Sequence, residues 1–402
     1  MDLKELMMNA PAVNFDKLTR FRHDLHQWPE LGFEEHDTAR KVCERLDELG
    51  VEYTSGIGGT GIVATLHGAR AGGEGAVVGL RADMDALPLT EQSGVKHSSK
   101  KQGCMHACGH DGHTSILLGT IEHLLANSDY AGTIYCVFQP AEEGVGGARA
   151  MMDDGLFERF PMTQIYGLHN WPALPVGQFG LIPGPIMASG DKIDIVIHGK
   201  GGHGGLNPHG CIDPIRIAAE LIQKAHTIVG REIDPMSPAV LSICAIEAGQ
   251  LNGFNVIPDE ARMSGTIRAI EPEIADKVRD SLRRACKSLA QYYGIEIDVN
   301  IENTFLATVN DPQGTETARQ VISDLFGSDA LAQNYQASMA SEDFAFMLAE
   351  CPGAYIHVGA GDEEHPWALH NPKFDFNDRV LPIGVQLLSG VAMASLARQR
   401  SG

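Results

Sequence analysis

The stretch GCMHACGHDGHTSILLGTIEHLLANS, residues 103–128, determines the fold class, because its apolar run of helical length lies between two runs of strand character. GAVVGLRADM (75–84) precedes it and GTIYCVFQP (132–140) follows it, and both are rich in the aliphatic residues that strands prefer. A helix that connects two strands indicates a sheet with parallel pairs. The sequence therefore predicts an α/β fold.

Strands and helices alternate in the same way in the rest of this region. GIVATLHG (61–68) and TQIYGLHNW (163–171) are typical of strands, and GGARAMMDDGLFERF (146–160) is typical of a helical segment. Residues 15–50 predict two helices that are separated by QWPELGF, and the second helix ends at Gly50. We therefore expect a mixed, mostly parallel sheet flanked by helices.

The segment 188–304 has a separate pattern of strand, helix, two strands, helix and strand, from KIDIVIHGKG to EIDVNIENTF. This is the order of a ferredoxin-like βαββαβ domain. A chain of 402 residues exceeds the size at which single cores stop growing, so two domains are expected. The sequence predicts a main domain from 1–187 and 305–402, with the βαββαβ domain inserted at 188–304.

The composition excludes several functional classes. The chain has 31 Lys and Arg against 52 Asp and Glu, a net charge of −21, which argues against binding to nucleic-acid phosphates. MDLKELMMNAPAVNF (1–15) lacks the pattern of a signal peptide, and no uninterrupted apolar stretch has transmembrane length. The eight cysteines are mostly isolated in apolar segments and form no disulfide framework, so the expected location is the cytoplasm.

Thiols, imidazoles and a carboxylate crowd the start of the predicted helix, at Cys104, His106, Cys108, His110, Asp111 and His113. A structural zinc site would need a second paired set of ligands, which the sequence lacks. A cysteine nucleophile needs a histidine base and an orienting group, and the local pattern leaves this alternative open. The third alternative is one corner of a catalytic metal centre.

The segment FQPAEEG (138–144) favours the metal centre, because it places Glu142 and Glu143 at the end of a strand, where ligands gather in α/β sheets. Adjacent carboxylates at that position point in different directions, so one can bind metal while the other acts as a general base. His169 in GLHNWP and His370 in ALHNP close two further segments and are candidate ligands. With Cys108, His110 and Glu143 they form a plausible ligand set.

In their order along nearly the whole chain, these motifs resemble the two-metal amidohydrolase and peptidase family of aminoacylases and carboxypeptidases. The branch is similar to hippurate hydrolases, N-acyl-amino-acid amidohydrolases and auxin-conjugate hydrolases. The motifs that carry the resemblance are DLHQWPELGFEE, GLRADMDALPLTE, MHACGHDGHTSILLG, FQPAEEGVGGARAMMDDG, GLHNWP, FNVIPDEARMSGTIRA, SEDFAFML and ALHNPKFDF.

The resemblance implies two divalent metal ions per subunit, and zinc, manganese, cobalt or nickel suit this mixture of ligands. Cys108 would bridge the two ions as a thiolate. The remaining ligands would be His110 and His169 for one ion, and Glu143 and His370 for the other. Glu142 would be the general base and acid, and Asp83 and Asp85 would support the site.

The resemblance also implies roles for residues of the inserted domain, as a lid and a homodimer interface. His203 would stabilise the tetrahedral oxyanion, often from the partner subunit, and Asn255 and Arg268 would contact the substrate's amide and free carboxylate. The segment GGHGGLNPHG (201–210) is one residue longer than the family pattern, so His209 receives no role. Met187 would lie in a hinge or pocket wall.

We therefore predict a metal-dependent amidohydrolase that cleaves N-acyl-amino acids to a carboxylate and a free amino acid. A dipeptidase or carboxypeptidase of the same fold is the first alternative. A catalytically silent metal-binding scaffold is the second, although a scaffold has no need of Glu142. A cysteine hydrolase is the third, and sensitivity to chelators distinguishes it.

Overall fold

The computed structural model describes residues 13–71 and 76–399, so the prediction about a signal peptide lies mainly outside the described residues. The described chain forms two compact units. The first contains the residues up to Ile186, Thr308–Gln336 and those from Asp343 onward. The second contains Met187–Ala307 and Ala337–Glu342.

The strands are numbered in chain order: β1 (Glu52–Ile57), β2 (Gly61–His67), β3 (Val77–Asp83), β4 (Thr133–Gln139), β5 (Gln164–Pro175), β6 (Phe179–Gly180), β7 (Gly184–Met187), β8 (Ser189–His198), β9 (Gly202–His203), β10 (Ala239–Ala248), β11 (Val256–Ile257), β12 (Glu260–Ala269), β13 (Glu296–Phe305), β14 (Thr308–Asn310) and β15 (Gly353–Gly361). The helices are α1 (Phe15–Gln27), α2 (His36–Leu49), α3 (His110–Ala126), α4 (Gly147–Asp153), α5 (Leu156–Arg159), α6 (Pro214–Glu232), α7 (Pro272–Tyr293), α8 (Pro312–Phe326), α9 (Phe344–Glu350) and α10 (Val380–Gln399).

The first unit is built on a seven-stranded sheet with the order β1-β2-β4-β3-β5-β15-β6. Its four central strands, β4, β3, β5 and β15, run parallel, and the outer pairs are antiparallel. The carboxyl ends of the central strands therefore meet at one edge. This confirms the predicted α/β fold with a mixed sheet flanked by helices.

Burial explains why the central strands lack an alternating pattern. Almost every residue of β3 and β15 is buried, as expected for strands that are covered on both faces. The helix α3 is buried along nearly its whole length and packs against β3 and α10. Its polar first turn is thereby held at the carboxyl edge of the sheet, next to the ends of β3 and β4.

The second unit contains a four-stranded antiparallel sheet with the order β10-β12-β8-β13. Its main elements follow one another as strand, helix, strand, strand, helix and strand. Alternate residues of β8, Ile193, Ile195 and Ile197, point into a core that α6 and α7 complete. The strand β10 lies at one edge of this sheet.

One helix within the described residues, α10, is long and apolar enough to cross a membrane by length and composition. From the sequence no uninterrupted apolar stretch of transmembrane length is expected, and the apolar run of this helix is indeed interrupted by Gln386 and Ser389. In the structure 67% of the 18-residue apolar stretch in this helix is buried inside the protein. Because buried core helices have the same length and composition, this property is weak evidence for a membrane.

Candidate metal centre

The candidate centre lies at the carboxyl edge of the parallel strands. The strand β3 ends at Asp83, the segment after β4 carries Glu142 and Glu143, and β5 carries His169. The helix α3 begins at His110, two residues after Cys108. The topology of the sheet therefore brings residues that are distant in sequence to one place.

Two groups of side chains share Cys108. In the first group, potential ligand atoms of Cys108, His110 and His169 all lie within 4.8 Å of one another, and the same holds for Cys108, Glu143 and His370 in the second. Cys108 Sγ lies 3.3 Å from His169 Nε2, and Glu143 Oε1 lies 3.2 Å from His370 Nε2. The structure thus brings all five predicted ligands together in two groups that meet at one thiol.

Hydrogen bonds from Nδ1 orient the imidazoles of the first group, so that Nε2 faces the other potential ligand atoms. His110 Nδ1 donates to the main-chain oxygen of Asp85 at 2.9 Å, and His169 Nδ1 donates to that of Asn170 at 2.7 Å. In the neutral form of each imidazole the lone pair is therefore on Nε2. Within the described residues, His110 Nε2 is buried and has no hydrogen-bond partner. A divalent cation would satisfy this nitrogen, so the donor set fits a metal.

The electrostatics of Cys108 disfavour a cysteine nucleophile. Burial raises the pKa of its thiol well above the ordinary value, and the charges of Glu143, Glu142 and Asp83 raise it further. A nucleophilic cysteine requires the opposite, an electropositive setting that favours the thiolate. A bound divalent cation would supply the positive charge that this cluster lacks.

The segment after β4 turns sharply to present both carboxylates. Ala141 has a φ of 51°, in the left-handed region that residues other than glycine rarely adopt. The N–H of Glu143 donates to Asp85 Oδ2 at 3.0 Å, and the buried carboxylate of Glu142 accepts a hydrogen bond of 3.3 Å from the N–H of Asp343. The two glutamates are therefore held by different partners.

Two backbone conformations show how tightly the ligands are placed. Gly109, between Cys108 and His110, has a φ of 101°, and a Cβ there would lie 2.3 Å from Asn170 Oδ1. His370 has a φ of 63°, and its N–H donates to the main-chain oxygen of Ala107 at 2.8 Å. Strained backbone of this kind concentrates at functional sites.

His26 has no function predicted from the sequence, yet the structure places it beside the centre. Its Nδ1 donates to Asp111 Oδ2 at 2.8 Å, and Arg22 Nη1 lies 3.4 Å from the same oxygen. Burial alone would raise the pKa of Asp111, but the hydrogen bond from His26 and the charge of Arg22 lower it. The pair thereby anchors the first turn of α3. Two sequence signals point to this contact: Asp111 directly follows His110, and His26 lies in the motif DLHQWPELGFEE.

The remaining predicted residues lie in the second unit. His203 and Asn255 are exposed, and Asn255 Nδ2 lies 3.5 Å from His203 Nε2. His203 Nδ1 accepts the N–H groups of Gly205 at 3.1 Å and Leu206 at 3.0 Å. Its proton is therefore on Nε2 in the neutral form. Arg268 lies on β12, half-buried, where it donates to the hydroxyl of Ser341.

Comparisons with known proteins identify the family of this chain. A family model described as peptidase family M20/M25/M40 matches residues 79–394. The hippurate hydrolase of Campylobacter jejuni subsp. jejuni is 40% identical over 94% of this chain and 96% of that protein. Thermostable carboxypeptidase 1 of Saccharolobus solfataricus is 37% identical over 96% of each.

A solved structure extends the likeness to three dimensions. A protein from Bacillus subtilis, described as a dinuclear metal binding peptidase from the M20 family, aligns with a TM-score of 0.82 and 32% identity. The alignment covers 95% of this chain and 98% of that chain. The resemblance read from the motifs is thereby confirmed: the chain belongs to peptidase family M20/M25/M40.

Proposed function

We propose that the protein is a metal-dependent amidohydrolase that cleaves the amide bond of N-acyl-amino acids. The observation that carries the proposal is the pair of ligand groups that meet at Cys108 with Glu142 beside them. A separate group of potential ligand atoms joins Glu142 to His110 and Glu143. The name of the hippurate hydrolase relative supports the substrate class, since hippurate is an N-acyl-amino acid.

The five side chains of the two groups would hold the metals, with the Cys108 thiolate shared between them. When bound, two divalent cations would polarise the amide carbonyl and lower the pKa of a water molecule. Zinc, manganese, cobalt and nickel all accept this mixture of thiolate, imidazole and carboxylate. Glu142 would take the proton of the attacking water and deliver it to the departing amine.

Arg268 is proposed to bind the free carboxylate of the substrate. Its guanidinium is half-buried, its carbon lies 6.0 Å from the centre of the Phe305 ring, and burial lowers its pKa. The charge of Asp191 partly offsets this effect of burial, but among the described residues no carboxylate forms an ion pair with Arg268. Asp191 instead pairs with Arg279 at 2.7 Å. A half-buried cation without an anionic partner is suited to an anionic ligand.

Replacing Arg268 by Ala should erase most of the preference for a free acid over its methyl ester. A hydrogen bond to a charged group contributes roughly 1.5–3 kcal/mol, or about tenfold to a hundredfold in kcat/KM. Hydrolysis rates of matched acid and ester substrates measure the effect. Arg262→Ala is the control, since Arg262 lies exposed on the same strand and pairs with Glu260. An unchanged acid-to-ester ratio in Arg268→Ala would show that the carboxylate is bound elsewhere.

A homodimer through the second unit is proposed from its exposed apolar surface. The edge strand β10 exposes Ile246, and Leu251, Phe254 and Val256 follow in the next segment, all at least half exposed. Exposed strand edges and apolar patches of this kind are commonly covered by a second protein chain. The family resemblance implies that His203 stabilises the oxyanion in the active site of the partner subunit. The N–H at Nε2 suits this role, because it can donate a hydrogen bond to an oxyanion.

We expect mixed dimers to recover activity from two inactive variants. If His203 acts in the partner's centre, a mixed dimer of Glu142→Gln with His203→Ala contains one intact site. That site combines Glu142 of the His203→Ala subunit with His203 of the Glu142→Gln subunit. Coexpression of the two variants should then give activity that neither shows alone, and light scattering should show a dimer. Activity that stays absent in mixed dimers of confirmed composition would place His203 outside the partner's site, and a monomer at all micromolar concentrations would refute the dimer.

A carboxypeptidase is the second candidate function, because the thermostable carboxypeptidase matches 96% of the chain and the hippurate hydrolase 94%. The deciding experiment is hydrolysis of acetyl-, benzoyl-, phenylacetyl- and indoleacetyl-amino acids and of dipeptides by metal-loaded enzyme. Faster hydrolysis of the N-acyl-amino acids than of the dipeptides supports the amidohydrolase. Faster hydrolysis of the dipeptides supports the peptidase.

We propose a cytoplasmic location, which fits eight cysteines that are all free.

A further inference from the structure

Glu35 is a buried carboxylate that the proposed reaction does not use. It directly precedes α2 and is fully buried, with an exposure of 0%. Within the described residues it forms no ion pair, and its side chain does not cap the helix. A buried carboxylate is costly unless its oxygens are hydrogen-bonded, so its partners explain why it is there.

The two partners of Glu35 come from distant parts of the chain. Its Oε2 accepts the hydroxyl of Thr60 at 2.7 Å, and its Oε1 accepts the N–H of Ala141 at 2.8 Å. Ala141 is the left-handed residue that directly precedes Glu142. Because a strained conformation persists only where the surroundings hold it, this hydrogen bond acts on the residue that sets the direction of both glutamates.

The contact belongs to a wider arrangement around the segment 140–148. Three main-chain N–H groups of this segment donate to carboxylates from three separate regions: Ala141 to Glu35 at 2.8 Å, Glu143 to Asp85 at 3.0 Å and Ala148 to Asp343 at 2.9 Å. Packing reinforces the first contact, since a Cβ on Gly32 would meet the Ala141 Cβ at 3.0 Å. Asp85 also contacts the proposed ligand His110, and Asp343 contacts the proposed base Glu142, whereas the hydrogen bonds of Glu35 go to Thr60 and Ala141.

We propose that Glu35 is a positioning residue for the metal centre, which acts through Ala141 to fix the directions of Glu142 and Glu143. This inference rests on the proposed roles of those two glutamates. Glu35 acts by geometry and not by its charge, because both of its partners are neutral donors. Loss of the Ala141 contact leaves a buried N–H unpaired and frees the turn to relax.

The test compares Glu35→Ala with the isosteric Glu35→Gln. A glutamine keeps one oxygen for the N–H of Ala141, and its amide N–H can donate to Thr60, whose hydroxyl both donates and accepts. The control is Glu34→Ala, which removes the same charge from the exposed neighbouring position. Each metal-free protein is titrated with Co²⁺, and the absorption of the cobalt–thiolate pair reports binding.

Glu35→Ala should weaken Co²⁺ binding and lower kcat at saturating metal, each by about ten- to a hundredfold, as is typical for groups that orient metal ligands. Glu35→Gln and Glu34→Ala should stay within about threefold of the wild type. All rates are compared below the melting transition of each variant. Loss of activity only in proportion to the unfolded fraction would overturn the inference.

Two further outcomes would also overturn it. Wild-type Co²⁺ affinity and kcat in Glu35→Ala would show that the turn needs no support from this carboxylate. Equal losses in Glu35→Gln and Glu35→Ala would show that the charge of Glu35 matters instead of its geometry. Failure of the proposed function is distinguishable, because it leaves the wild type inactive on every acyl substrate while the Co²⁺ titration still compares the variants.

Discussion

Replacing Glu142 by Gln should lower kcat by about 10²- to 10⁴-fold, the range that general acid–base groups supply, while the metal content stays at the wild-type level. Glutamine has the same shape and can still accept the hydrogen bond from the N–H of Asp343. It cannot take a proton from water, so the chemical step fails although the site remains assembled. Metal analysis and kinetics on the same purified sample measure both quantities.

The neighbouring carboxylate provides the matched comparison. Glu143 belongs to the group with Cys108 and His370, so Glu143→Gln should lose metal as well as activity. The two variants remove identical charges at adjacent positions and differ only in the direction of the side chain. Full activity in Glu142→Gln would eliminate the proposed mechanism, and metal loss in both variants would show that Glu142 is itself a ligand.

Replacing Cys108 by Ala should cause the largest loss of metal, because among the described residues its thiol is the only side chain shared by the groups that contain His169 and His370. His169→Ala or His370→Ala should weaken one group each. Metal content and activity should fall together in Cys108→Ala. Metal binding at a free concentration one hundred times Kd adds about 2.7 kcal/mol to the free energy of unfolding. The melting temperature of the wild type should therefore rise with added metal, and that of Cys108→Ala should not.

Cys104 supplies the control for this variant. It is buried four residues earlier in the same segment and belongs to none of the ligand groups found among the described residues, so Cys104→Ala should keep its metal. Chelation of the wild type should abolish activity, and added metal should restore it. Activity that survives complete removal of metal would instead support a cysteine hydrolase, the alternative that the raised pKa of Cys108 already disfavours.

Much of the fold was predictable because local pattern and packing agree. The boundaries of β13 match the predicted run EIDVNIENTF, and α1 and α2 are separated where QWPELGF breaks the pattern. The edge strand β1 was missed, since it is short, largely exposed and contains Gly56. The predicted helical segment 146–160 is divided into α4 and α5, because Gly155 has a φ of 83°.

The candidate site was predictable as a set of residues but not as a geometry. The five proposed ligands lie in the short motifs HACGHD, FQPAEEG, GLHNWP and ALHNP, so sequence motifs could identify them. The contact between Glu35 and Ala141 joins segments that are 106 residues apart, and nothing in either segment indicates the other. The left-handed conformation of His370 is likewise imposed by a hydrogen bond to Ala107. Tertiary contacts of this kind leave no periodic signal.

The place of β15 in the sheet has a consequence for synthesis of the protein on the ribosome. The strand pairs in parallel with β5, from Gly353 opposite Ile165 to Gly361 opposite Pro175, and β6 then pairs with β15. One side of β5 therefore stays an unpaired edge in the nascent chain until residues 353–361 have emerged. The segment 187–307, which precedes them, is continuous and can collapse early. An open apolar edge during that interval is a hazard for aggregation, so we expect the first unit to be the part of the nascent chain that depends on chaperones.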